Sequence, residues 1–388
     1  MINNNININT NNIKDDDDID IDIDIVDVFE RALKYSTTPD LQLILLKELL
    51  LKHDEDEEDN KEDYDDEQAL FLDLRSAEAY AKHSLEKSVN IPFEDIQGSF
   101  HLLPPRDTGF VILLREDYEF EKQRETFTKG DFKGIKWNIT HCFVYNEHFV
   151  NAVEQILLLQ SQRRTKTILE LHQNNHNNNQ QQRKKLHRLW RPSPSVVELY
   201  KTFLAASEKE GSEKWSVSGA VLDLGAGCGR DSIYLAMKGF NVFAFDSDDS
   251  ALTRIKKLSK MYGVSDRVQP VKWNAATKDK DAAFEKALEK SVGSFPLKLV
   301  LGVRFCYKPL FEQMVSKLPC GCYLAWFHFA VGCELSKVGR PNKEKDLIFP
   351  CKELRSIFSE ERGYEVLRDD VTYLSDSRPI ANFVAKKL

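Results

Sequence analysis

Apolar residues in this chain fall into short runs divided by polar stretches, and the clearest sequence of such runs lies between Gly219 and Asp246. Ala220-Val221-Leu222-Asp223-Leu224 has the length of one buried parallel strand and breaks at Gly225-Ala226-Gly227-Cys228-Gly229. From Asp231, the residues Ile233, Tyr234, Leu235 and Met237 fit a helix that stops at Gly239, and Asn241 to Phe245 predicts a second buried strand ending in Asp246. The unit is strand, helix, strand. After it the pattern predicts a helix over 251–261, a third strand over 268–273, a fourth over 297–303, and a fifth over 321–326 with Phe327-His328-Phe329 at its tip. Terminal strands follow at 364–367 and 373–385, the last broken by Ser375 to Pro379.

The first half shows the same alternation. Residues 69–75 predict a buried strand, Ser76 starts a helix, 110–114 predict another strand, His141 to Tyr145 is a further apolar stretch, and 153–162 predict a closing helix. Strands alternating with helices give an α/β class for both parts. Ahead of them, Asn-Ile and Asp-Ile repeats over residues 2–24 are low complexity, with no predicted fold. Leu41, Ile44, Leu45, Leu49 and Leu50 make the stripe of a docking helix, and His53 to Glu67 is an acidic linker.

Charge sharpens this division. Residues 1–70 carry 22 acids against six bases, whereas the rest of the chain carries 48 bases against 40 acids. The acidic segment is read as a solvated, disordered run. Arg183-Lys184-Lys185, His187, Arg188 and Arg191 form a basic cluster around Trp190, after an Asn/Gln tract at His172 to Gln182. Charge with an aromatic could contact RNA, although a solvated linker is the simpler reading. Seven cysteines, an odd number, point to reduced thiols, and Cys320, Cys322, Cys333 and Cys351 fit no zinc spacing, so no metal is expected. With no long apolar stretch and no leader pattern, the expectation is a cytoplasmic protein without a membrane partner.

The glycine run carries chemistry. Glycines let a ligand approach the backbone, the helix start offers free N–H groups to an anion, and an acid at the next strand's tip, Asp246, suits ribose hydroxyls. The dinucleotide fingerprint has a related pattern, but here the glycines run G-x-G-x-G, with Asp223 two positions before the first. A nicotinamide enzyme therefore stays open as the lesser reading.

These residues resemble motif I of the class I S-adenosylmethionine-dependent methyltransferases, and GCGRDSIYLA resembles the tellurite-resistance and thiopurine-type branch. The resemblance implies a Rossmann-like, seven-stranded domain with an antiparallel last strand, and S-adenosyl-L-methionine as cofactor. Gly225, Ala226, Gly227 and Gly229 would face its methionine portion, Asp246 its ribose, and Asn274 its adenine, where the family commonly has an acid. Asp223, Ser247, Val303 and Trp190 complete that cofactor group, Trp190 as a cover from an N-terminal helix. Arg304-Phe305-Cys306-Tyr307 at the fourth strand's end resembles the same branch, making Arg304 and Tyr307 candidates to orient the acceptor and His328 a candidate base. Phe305, Trp326 and Phe329 line such a site, and Arg304, Arg340 and Arg378 could hold an anionic group.

The order FLDLRSAEAYAKHSLEKSVNIPFEDI resembles the rhodanese family, through Asp73-Leu74-Arg75, His83 and Asn90-Ile91-Pro92. Where that family carries its catalytic cysteine, this chain has Leu113-Leu114-Arg115-Glu116-Asp117. A leucine cannot carry a sulfane sulfur, so the domain is read as inactive and used for docking a protein partner or shaping its neighbour. Cys142 is read as a structural thiol.

The domains expected are therefore 1–66 acidic and disordered with one docking helix, 67–165 rhodanese-like, 166–185 linker and 186–388 methyltransferase. The function expected is methyl transfer to a small molecule. An RNA methyltransferase and a non-catalytic cofactor-binding scaffold remain alternatives.

Overall fold

The computed structural model describes residues 71–85, 88–105, 108–115, 137–153, 187–205, 219–275, 285, 288, 295–336 and 339–388. The low-complexity start, the docking helix, the acidic linker, Glu116-Asp117, most of the closing helix, the Asn/Gln tract and Arg183 to Lys185 lie outside these residues. The chain forms two units, one of Met1–Gly98 and Thr108–Gln180, the other of Ser99–Asp107 and Gln181–Leu388. Residues 99–107, which the sequence assigns to the first domain, thus belong to the second unit.

In the first unit, β1 (Phe71–Asp73), β2 (Ser88–Asn90), β3 (Phe110–Arg115) and β4 (Ile139–Tyr145) form a parallel sheet in the order β2-β1-β3-β4. Phe71, Leu72 and Val111 to Leu114 are buried, which explains their unbroken apolar runs. Asp73 and Arg75 form a buried ion pair at 2.7 Å, and the same guanidinium donates to the His83 carbonyl at 2.7 Å and lies 3.3 Å from the centre of the Tyr145 ring. The Asn90 amide donates to the carbonyls of Asp73 and Arg75. The spaced residues Asp73, Arg75, His83 and Asn90 are therefore one fastening at the end of β1. Removing one partner would leave a buried charge unpaired.

The second unit is a seven-stranded sheet built on β5 (Ala220–Leu224), β6 (Asn241–Asp246), β7 (Val268–Lys272), β8 (Leu297–Val303), β9 (Tyr323–Phe329), β10 (Tyr364–Tyr373) and β11 (Pro379–Lys387). Its order is β10-β11-β9-β8-β5-β6-β7, with β5 to β9 parallel and β11 antiparallel between β9 and β10. The antiparallel last strand is the one the family resemblance implies; the apolar pattern of the sequence does not mark its direction. It misses the length of β10, whose half-buried residues carry no apolar run beyond Leu367. It also stops β9 too early, because Phe327, His328 and Phe329 still pair with β11.

Strand residues alternate between two apolar layers. Leu222, Leu224, Val300 and Trp326 face one; Val221, Leu299, Leu301 and Phe327 face the other, where helix Arg230–Met237 packs through Ile233 and Leu235. The chain order reverses between β5 and β8, and ligands of open α/β sheets bind at the carboxyl ends of strands flanking such a reversal. No helix among the described residues is long and apolar enough to cross a membrane.

Cys142 lies on β4 opposite Ile112, and burial pushes its thiol far above the ordinary range. Thiolate chemistry needs a lowered value and access. In the folded full-length chain Cys142 should label with a thiol reagent only in denaturant, and thiosulfate-to-cyanide transfer should be at background. Turnover that disappears in Cys142→Ser would show a working nucleophile.

Candidate functional site

The three loop glycines answer three different demands. All have positive φ, +76° at Gly225, +57° at Gly227 and +83° at Gly229, where other residues are strained. A Cβ on Gly225 would lie 2.7 Å from the Phe305 side chain, and one on Gly229 would lie 2.6 Å from Ile255. A Cβ on Gly227 would meet nothing within 4 Å. The first and last glycines let the protein pack; the middle one leaves space for a ligand.

Backbone bonds hold the loop against β6. The Gly225 and Ala226 amides both donate to the Phe245 carbonyl at 2.9 Å, and the Gly227 amide donates to Asp246 Oδ2 at 2.8 Å. Asp246 Oδ1 accepts from the Asp248 amide at 2.9 Å. Each carboxylate oxygen keeps acceptor capacity, so the half-buried Asp246 can take a pair of ribose hydroxyls beside the loop. Ser247 and Asn274 are exposed after β6 and β7, and Val303 is half-buried at the end of β8. These positions fit a nucleoside laid across the strand ends.

Asp223 lies behind the loop, buried, and accepts from the Ser232 hydroxyl, which fixes the helix to β5. Burial, and then the nearby Asp231, push its carboxyl up to about 7. Burial likewise raises Asp231, which accepts from the Ser193 amide at 2.6 Å.

The structure brings Asp231, Arg304, Arg378, Asp376 and Phe329 together. The Arg304 guanidinium stands 5.9 Å from the Phe329 ring centre and that of Arg378 4.7 Å, while Arg378 also pairs with Asp376 at 2.7 Å. Burial and then Arg378 lower the Arg304 value, with Asp231 and Asp376 opposing. Arg304 is in the left-handed region at φ 54°, and its amide donates to the Phe327 carbonyl at 2.8 Å. Such strain gathers at ligand sites. The Arg340 carbonyl accepts from Arg378 at 3.4 Å.

Tyr307 and His328 stand on the other face. Phe305 and Tyr307 pack against the layer containing Trp326, and alternation along β9 puts His328 on the Trp326 face and Phe329 on that of Phe327. His328 is buried, its Nε2 lies 3.0 Å from the Asp346 carbonyl, and burial lowers its value. Donation to that carbonyl leaves the lone pair of a neutral ring on Nδ1, which has no partner.

Trp190 is not brought to this group. It is fully buried, edge-on to Tyr262 at 5.4 Å, with the buried Arg188 guanidinium 5.1 Å from its centre. Trp273 was missed in the sequence. Its amide donates to the Asp246 carbonyl at 2.9 Å, and its ring lies 5.8 Å from Phe245 and 6.1 Å from Phe305. Its position at the end of β7 was the available signal. All seven cysteines are free; Cys142, Cys322 and Cys333 are buried, whereas Cys320 and Cys351 are exposed. Among the described residues no group of His, Cys, Asp or Glu could hold a metal ion.

The strand order and the loop at the reversal define a Rossmann-like fold in the C-terminal part. Over residues 197–286 the chain matches the family described as tellurite resistance protein TehB. A relative from Schizosaccharomyces pombe, uncharacterized protein UNK4.09, is 25% identical over 345 residues, 82% of this chain and 93% of that protein. Among solved structures, TehB from Haemophilus influenzae is 16% identical, covering 50% of this chain and 61% of that one, with a TM-score of 0.34. The magnesium protoporphyrin IX methyltransferase of Synechocystis PCC 6803, with bound SAH, is 16% identical over 50% of this chain and 82% of its own, with a TM-score of 0.34.

Two outcomes follow from this geometry. A carboxyl raised on folding stabilises fully below its unfolded value, and the contribution is lost as pH rises through about 7. Asp223→Asn, whose amide oxygen still accepts from Ser232, should therefore lose less melting temperature than wild type between about pH 5 and about pH 8; parallel curves would contradict this. At Arg304, glycine relieves the left-handed backbone and alanine does not, so Arg304→Gly should be more stable to denaturant than Arg304→Ala by about 1 kcal/mol. Equal stability would mean that the backbone relaxes without strain.

Proposed function

We propose that this protein is an S-adenosyl-L-methionine-dependent methyltransferase of the cytoplasm that acts on a small molecule bearing an anionic group. The observation that carries the reading is the open space at Gly227 facing the Asp246 carboxylate at the strand-order reversal. The TehB match over the same loop supports it. The cofactor supplies a methyl group on a sulfonium, and this chain's residues bind and align. Asp246 holds the ribose, Gly225 to Gly229 admit the methionine portion, and the free amides at the helix start favour its carboxylate. Displacement at a methyl carbon is in line, so alignment of the acceptor supplies much of the rate.

Arg304 and Arg378 hold the acceptor's anion beside Phe329, and Tyr307 orients it from the other edge. His328, held neutral by burial, stands on the opposite face of β9 from Arg304 and Phe329 and is not assigned the acceptor's proton. The first unit is read as a rhodanese-like domain without sulfurtransferase activity, serving its neighbour or a protein partner.

RNA is the second reading, resting on the basic cluster near Trp190. Arg188 is fully buried, which removes one cation from that surface.

Calorimetry tests the proposal. The methyl donor should bind, NAD should not, and Asp246→Ala should weaken binding by about 1 to 3 kcal/mol. Arg304→Ala should raise the acceptor's KM or lower kcat with donor affinity unchanged. Tight NAD binding without donor binding would contradict the proposal. Label transferred from the donor into RNA, and lost on removal of Arg183 to Lys185, would favour the second reading.

A further inference from the structure

Residues 99–105 sit in the C-terminal unit, although the chain before Ser99 and after Asp107 belongs to the other. Arg230 holds them. It is the first residue of the helix that follows the glycine loop, its Nε donates to the His101 carbonyl at 2.8 Å, and its Nη2 donates to the Leu103 carbonyl at 3.4 Å. Leu103 and Pro104 are buried, and Leu102 packs against the apolar layer that also receives Ala226 of the loop, Val303 and Phe329.

A segment that only connected two strands would cross the surface with its carbonyls solvated. This one buries the side chains of Leu103 and Pro104 and gives the carbonyls of His101 and Leu103 to one guanidinium whose fork suits them. The neighbouring Asp231 interacts with Arg230 and Arg304, so the same helix start touches both the strap and the arginine pair.

We infer that residues 99–105 are a built-in wall of the donor site, with Arg230 as the positioning residue that fixes it beside the glycine loop. The inference rests on the methyltransferase reading and adds a wall drawn from outside the contiguous domain. It assigns the N-terminal part of the chain a definite contribution, because residues 187–388 alone lack this wall. A fixed wall excludes water from the transferring methyl and narrows the acceptor.

The test uses the full-length chain with S-adenosylhomocysteine as probe. Hydrogen exchange of the peptides covering 99–105 should slow when the probe is added, because a wall in contact with ligand opens less often. Leu102→Ala and Arg230→Ala should each weaken probe binding by about tenfold while the melting temperature stays near that of wild type. Arg230→Lys should recover only part of the loss, since an ammonium lacks the fork. Wild-type affinity in both alanine variants with unchanged exchange would overturn the wall and leave the methyltransferase reading standing. Loss in Arg230→Ala alone, without loss in Leu102→Ala or a change in exchange, would place Arg230 on the ligand itself and also overturn the wall. No probe binding by the wild-type chain would sink the methyltransferase reading, and the wall with it.

Discussion

The acceptance of the Gly227 amide by the Asp246 carboxylate is the constraint on which the rest of the site depends. It joins the end of β6 to the turn after β5, and works only if the two strands hold the register that pairs Leu224 with Phe245. The Phe245 carbonyl tightens the same turn by accepting two consecutive amides. With the loop fixed, Phe305 can lie against Gly225, and its carbonyl accepts from the Trp326 indole at 2.9 Å. Trp326 in turn occupies the space that a side chain at Gly302 would fill. The tips of β5, β6, β8 and β9 are thereby held in one arrangement, in which a methyl group added at Gly225 or Gly302 would clash.

Electrostatics at the site are built from groups held away from their preferred states. Asp223 and Asp231 are raised by burial and Arg304 is lowered by it, and of the two acids Asp231 is the one that interacts with Arg304. The left-handed backbone at Arg304 adds strain to the same cluster. Arg304 and Arg378 both stand over the face of Phe329. Each arginine has a carboxylate near it, Asp231 beside Arg304 and Asp376 paired with Arg378, so under the proposed function an acceptor anion would have to compete with them.

Much of this was legible in the sequence because burial on both faces of a parallel strand writes an unbroken apolar run. The strands 220–224, 241–246 and 297–303 read directly, and the glycine spacing located the turn. Side-chain direction at a strand tip was less legible. His328 was expected beside the acceptor with Arg304, yet strand pairing continues through Phe329, and the two-residue period turns the imidazole to the opposite face. Trp190 was expected over the cofactor, but its ring packs into the apolar layer against Tyr262. The strap at 99–105 left no periodic signal, because its anchoring uses backbone carbonyls, which any sequence possesses. Asp376 was hidden in a turn whose residues looked only like a strand break.

The central claim is that Asp246 and the open glycine hold a methyl donor rather than a dinucleotide. The most direct measurement is a crystal structure of the full-length chain grown with S-adenosylhomocysteine. The account predicts both ribose hydroxyls on the Asp246 carboxylate and the amino acid portion over Gly227. A ligand seated elsewhere, with the Gly227 to Asp246 bond unchanged and the space above it filled by solvent, would contradict it.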